Sequence, residues 1–162
     1  MSASVRQGAD LVDVRLLGFP VDLHAATEEH HDELLREFAH IANATSASGR
    51  VPARLVALMT DLRQRYAHFS GPAREQIETA RRQGRTSIDL VYRMPPSVGP
   101  AALELAALLD EADEFCRQGH LLTLATDQDM VGFRRWLLEE FARQSEGAEP
   151  QPWPASTGQT AT

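Results

Sequence analysis

Three side chains able to bind a metal or move a proton fall within two helical turns. His24, Glu28 and His31 stand at i, i+4 and i+7. On a helix all three project from one side. Two imidazoles and a carboxylate at that spacing can ligate zinc or iron. Glu28-x-x-His31 is also half of a di-iron helix pattern, and Glu37-x-x-His40 repeats it nine residues later, about half a circle round the helix. A bundle centre would need such motifs on separate helices with further glutamates facing inward. No such set is visible, so the simpler expectation is surface and boundary histidines. His31 differs because it falls inside the apolar arc. The plain expectation for it is a buried histidine bonded to a strand carbonyl; the sharper one is a pocket base or a pH-sensitive contact.

Other reactive groups are scarce. The chain has 162 residues, and all 16 of its basic residues are arginine. Without lysine there is no Schiff base, phosphate-loop lysine or lysine general base. The one cysteine, Cys116, excludes an intrachain disulfide and lies on an apolar helical stripe, where it would act as a small filler. No serine stands in a G-x-S-x-G elbow, and no Gly-rich nucleotide loop follows a strand. The acidic run Asp110, Glu111, Asp113, Glu114 spreads around a helix as a solvated face.

The net charge of −7 argues against nucleic acid as partner, despite the local cluster Arg81, Arg82, Arg85. No apolar run approaches the ~20 residues that span a bilayer, and Met1–Asp10 lacks a signal-peptide core. A cytoplasmic location is the default expectation, with no cofactor.

The elements that must position these groups follow from hydrophobic period. Leu11–Leu17 alternates as a strand, ended by Gly18 and Pro20. Val21–Asn43 is an amphipathic helix of about six turns. A second helix runs from about Pro52 to Phe69, and a short exposed one from Pro72 to Gly84. Thr86–Met94 alternates again. Ser97 caps a helix that reaches Gln118, Leu121–Ala125 reads as a short third strand, and Thr126 or Asp127 caps a last helix. The expected fold class is therefore α/β in the order β-α-α-α-β-α-β-α, a small sheet of about three strands with four to five helices. Its second and third strands would pair in parallel through a right-handed crossover. Residues 1–9 form a flexible tail, 10–146 a single domain, and 147–162 a disordered Pro/Gly/Ser/Thr-rich tail, with Trp153 able to touch down on the domain.

Two features suit a protein partner. Trp136 flanks the core face of the last helix beside Arg135, the composition of an interface hot spot. Asp13, Arg15, Asp89 and Arg93 crowd one face of two strands, as cross-strand ion pairs or as a docking face. The expected partner-binding residues are Trp136, Arg135, Arg15 and Arg93. An open sheet edge would also allow a homodimer.

Several segments together resemble a known group. They are His31–Phe38 (HDELLREF), Val91–Pro95 (VYRMP), Cys116–Gly119 (CRQG) leading into LLTLAT, Arg135-Trp136 to Phe141, and the closing Glu149–Pro154 (EPQPWP). The pattern resembles a family of small, uncharacterised actinobacterial proteins, over about residues 11–154. Genes of that family often neighbour sigma-factor regulators: anti-sigma proteins, STAS-type antagonists and their phosphatases. The resemblance implies a protein attached to a bacterial stress-signalling circuit; none of its motifs is catalytic. The reading from sequence is thus a non-enzymatic regulatory module that binds a protein partner, such as a sigma-factor regulator. The alternatives are a small-ligand or metal sensor using His24, Glu28 and His31, or a small enzyme of unrecognised type.

Overall fold

The structure, a computed structural model, describes residues 10–44, 50–119 and 126–154. Its elements are β1 (Val12–Pro20), α1 (Val21–Ala44), α2 (Arg50–Arg82), β2 (Ser87–Met94), α3 (Val98–Gln118) and α4 (Gln128–Ser145). Among the described residues the sheet has two strands, β1 and β2, paired antiparallel. This corrects the expected sheet of about three strands with four to five helices in the order β-α-α-α-β-α-β-α: among the described residues four helices dominate a two-stranded antiparallel sheet. The segment read as a third strand, Leu121–Ala125, lies outside the described residues, as do 1–9, 45–49 and 155–162.

The strands form where apolar and polar residues alternate. Val14, Leu16, Ile88, Leu90 and Met94 are buried on the inner face, while Asp13, Arg15, Asp89, Val91 and Arg93 are exposed on the outer one. The register places Asp13 opposite Arg93 and Leu16 opposite Leu90, then shifts between Leu16 and Phe19. Gly18 sits in that irregularity with φ 66°, a conformation that suits glycine. The strand continues past it to Pro20, further than the glycine suggested.

The two helices expected around Pro72 are one helix, α2, with the proline inside it. Pro72 is exposed, and Tyr66, Ala73, Ile77 and Ala80 continue the buried stripe on both sides of it. Burial of that stripe outweighs the hydrogen bond the proline removes. The expected stop at Gly84 holds. Gly84 N–H donates to Arg81 O and Arg85 N–H to Ala80 O, with Gly84 at φ 68°, a Schellman ending.

The core has a sheet-side cluster of Val14, Leu16, Phe19, Leu90, Ile77 and Phe133, and a helix-side cluster around Leu34, Phe38, Leu55, Leu109 and Cys116. Helices α3 and α4 approach closely at Gly99, where an added Cβ would run into the Ser145 side chain.

Candidate functional site

Helix α1 splits the three sequence-selected residues between two environments. His24 and Glu28 line a cleft of about 870 Å³ between α1 and α2, whose wall also includes Asp32, Arg74, Arg81 and Tyr92. His24 Nε2 and Glu28 Oε1 are 4.0 Å apart. The His24 ring lies 5.0 Å from the Phe19 ring, and burial, with help from Arg81, lowers its pKa to about 4. Burial also raises the Glu28 carboxyl and pushes the Tyr92 phenol up to about 12. A smaller apolar pocket of about 260 Å³ shares Glu28, Ser70, Arg74 and Tyr92 with this cleft.

His31 does not join them. It is buried and interacts electrostatically with Arg134 of α4, and its Nε2 has no hydrogen-bond partner among the described residues. The expected bond to a strand carbonyl is therefore absent from that nitrogen. Burial, reinforced by Arg134 and His30, lowers the His31 pKa to about 4. Among the described residues no group of three His, Cys, Asp or Glu side chains could hold a metal ion.

Beside His31 lies a buried ion network that the sequence reading missed. Arg134 Nη2 reaches Asp113 Oδ2 at 2.7 Å and Asp110 Oδ1 at 2.8 Å, while its Nη1 donates to Thr126 Oγ1. Thr126 Oγ1 in turn donates to Asp113 Oδ1 at 2.6 Å and lies 3.2 Å from His30 Nε2. Burial alone would raise the Asp113 carboxyl, but hydrogen bonds from Thr126 and Arg134 overcome it and hold the pKa below its ordinary value. The His30–Thr126 pair has the look of a base beside a hydroxyl. However, the hydroxyl proton already goes to Asp113, so the imidazole faces an acceptor oxygen and does not prepare a nucleophile. Cys116 is buried, and its thiol is pushed up to about 11, which keeps it protonated.

The proposed hot spot is likewise committed inward. Trp136 is half-buried, donates from Nε1 to Gln151 O at 3.0 Å, and packs edge-on against Trp153. Trp153 also meets the Phe133 ring, and its N–H donates to Leu17 O at 2.9 Å. Residues 149–154 therefore form a strap on the domain, which corrects the expected disorder from 147 for this stretch. Its other anchor is Glu140, fully buried, which accepts from Gln151 N–H and from the Gln144 side chain. Arg135 remains exposed, 3.5 Å from Asp110.

The strap and α4 close one edge of the sheet. The Gln144 amide accepts from Arg15 N–H and donates to Arg15 O, both at 2.8 Å, so it imitates a neighbouring strand. Arg15 and Leu17 thus turn their backbone groups away from β2. By the alternation of an antiparallel ladder, Val14 and Leu16 face β2, and their partners Tyr92 and Leu90 face β1. Asp89, Val91 and Arg93 must then point N–H and C=O outward. Among the described residues no hydrogen bond to those outward groups is found. The side chains on the same stretch are exposed: Val91 is 48% accessible, Arg93 pairs with Asp13 at 3.3 Å, and Asp89 accepts from Gly18 N–H. Of the expected partner-binding residues, Arg15 and Arg93 share this open face, Trp136 is turned inward, and Arg135 lies elsewhere on α4.

No family model, curated protein or solved structure matches the chain. No helix among the described residues is long and apolar enough to cross a membrane.

Proposed function

We propose that the protein is a non-enzymatic regulatory module that binds another protein chain through the open side of its sheet. The observation that carries this reading is the contrast between the two sheet edges. The β1 edge is capped at Arg15 by Gln144 and at Leu17 by Trp153, whereas among the described residues Asp89, Val91 and Arg93 of β2 have no partner for their outward backbone groups, beside an exposed valine. Folded proteins usually blunt such an edge, and one left open is a template for adding a strand. The regulatory part of the reading rests on the resemblance to proteins encoded beside sigma-factor regulators.

A photo-crosslinking side chain placed at Val91 tests it in the host cell, with Leu103 as control because it is also exposed and apolar. The expected result is a discrete protein adduct from position 91 and none from position 103. Equal labelling at both, or no adduct at 91, overturns the reading.

A further inference from the structure

The partner that best fits this edge is the edge itself. Laid antiparallel to a second β2 with Val91 on a twofold axis, Asp89 falls opposite the Arg93 of the other copy, and Arg93 opposite its Asp89. All three side chains project from the outer face. All three residues point both backbone groups outward, so every pairing across the axis is of the hydrogen-bonded kind. The interface is isologous, as a closed dimer requires.

The charges on the outer face are arranged for this. Arg93 contacts Asp13 through Nε, at 3.3 Å, which leaves its terminal nitrogens to reach across. Asp89 uses Oδ1 for Gly18 N–H, which leaves its second oxygen. A row of alternating sign would then cross four strands: Asp13, Arg93, the second copy's Asp89, and behind it that copy's Gly18 amide. Parallel alignment of the same edges would not bring unlike charges together in this self-complementary way. A groove of about 780 Å³ between α2 and the start of β2, bordered by Glu75, Thr79, Arg82 and Arg85, adjoins Asp89.

We propose that β2 pairs with the β2 of a second copy, centred on Val91, to give a continuous four-stranded antiparallel sheet. This rests on the reading of the β2 edge as the binding surface and names its occupant. Opposite charges across strands stabilise a pair, and like charges directly opposite destabilise it.

Sedimentation equilibrium of the full chain over micromolar to submillimolar concentrations tests it. The expected species is a dimer. Asp89→Arg presents two arginines per copy to the axis, and Arg93→Asp presents two aspartates, so each variant alone should self-associate at least about tenfold more weakly. Mixed in equal amounts, the two variants should recover a heterodimer, because each again meets its opposite. Val91→Lys, which touches neither the Gly18 contact nor the Asp13 pair, should also give monomers. A monomeric parent, a dimer indifferent to these changes, or a mixture that stays monomeric overturns the proposal. A monomeric parent that still gives the position-91 adduct with a different protein removes self-pairing and leaves the interaction module standing. A monomer with no such adduct removes both.

Discussion

Two arginine–aspartate pairs in this chain look alike in sequence and differ in kind. Arg134 and Asp113 meet at 2.7 Å with side chains 4% and 5% exposed. Arg93 and Asp13 meet at 3.3 Å with side chains 73% and 53% exposed. The buried pair has surrendered its water. Among the described residues its charges have each other, Asp110 and Thr126 to replace it, so removing one partner strands the other. The exposed pair is solvated on all remaining sides, and its Coulomb energy is screened. Burial thus decides which pair is architecture and which remains free to bind something else.

The largest expected effect breaks the buried member of the comparison. Arg134→Met keeps the length of the side chain and removes its charge, leaving Asp113 buried beside Thr126 without its cation. Denaturant unfolding should show a loss of about 3–5 kcal/mol. A loss below about 1 kcal/mol would mean that the network is far wetter than its burial indicates.

Acid probes the same region. His31 beside Arg134, and His24 under Phe19, both have pKa values lowered to about 4, first by burial. Each is held neutral in the folded state while its unfolded counterpart titrates near 6.5. Their stabilisation is complete above about pH 6.5 and erodes as pH falls towards 4. For His31 the full shift corresponds to something on the order of 3 kcal/mol. Asp113, with its pKa lowered, adds a further loss beginning only below its ordinary value of 3.8. Melting temperature against pH should therefore decline in two stages. His31→Gln should shrink the stage between 6.5 and 4 and leave the share that belongs to His24; if the stage is unchanged, His31 does not contribute to it.

The sequence made some of this visible and concealed the rest for physical reasons. Alternation exposed both strands and their charged face, because a period of two survives in any half-buried strand. Gly84 and Asp127 announced helix ends through local chemistry, and Asp127 indeed accepts from Asp129 N–H. Pro72 misled, since what holds α2 together across it is long-range packing of Ala73 and Ile77. Trp136 looked like an anchor for a partner because its own anchor, Trp153, lies 17 residues later in a stretch whose composition suggests disorder. The acidic run on α3 looked uniformly solvated, yet Asp113 turns inward to an arginine on the next helix. A buried charge pair between distant positions leaves no local signature. The one available hint was that Phe133-Arg134 sets an arginine immediately beside a core aromatic.

A smaller effect sharpens the contrast between the two sheet edges. Gln144→Leu leaves Arg15 N–H and C=O without their amide and deprives Glu140 of one donor. The expected cost is about 1–3 kcal/mol. Amide exchange at Arg15 should rise far more than at Val14, whose backbone faces β2. Equal acceleration of both would show that the strand as a whole had loosened and that Gln144 does not specifically close the edge.

The smallest effect falls on the exposed pair, and smallness is the point. Arg93→Ala should change the folding stability of the monomer by no more than about 0.5 kcal/mol, because an ion pair in water contributes little and each partner is rehydrated when the other is removed. Any dimer would add stability by mass action, so the measurement belongs at protein concentrations low enough that melting no longer depends on concentration. Under those conditions the parent and the variant should melt together in both low and high salt. At higher concentration the two should part, with only the parent gaining stability as its edges pair. A substantial loss in the dilute monomer would instead make Arg93 a structural residue like Arg134, and the open face would lose its claim to be held in reserve for a partner.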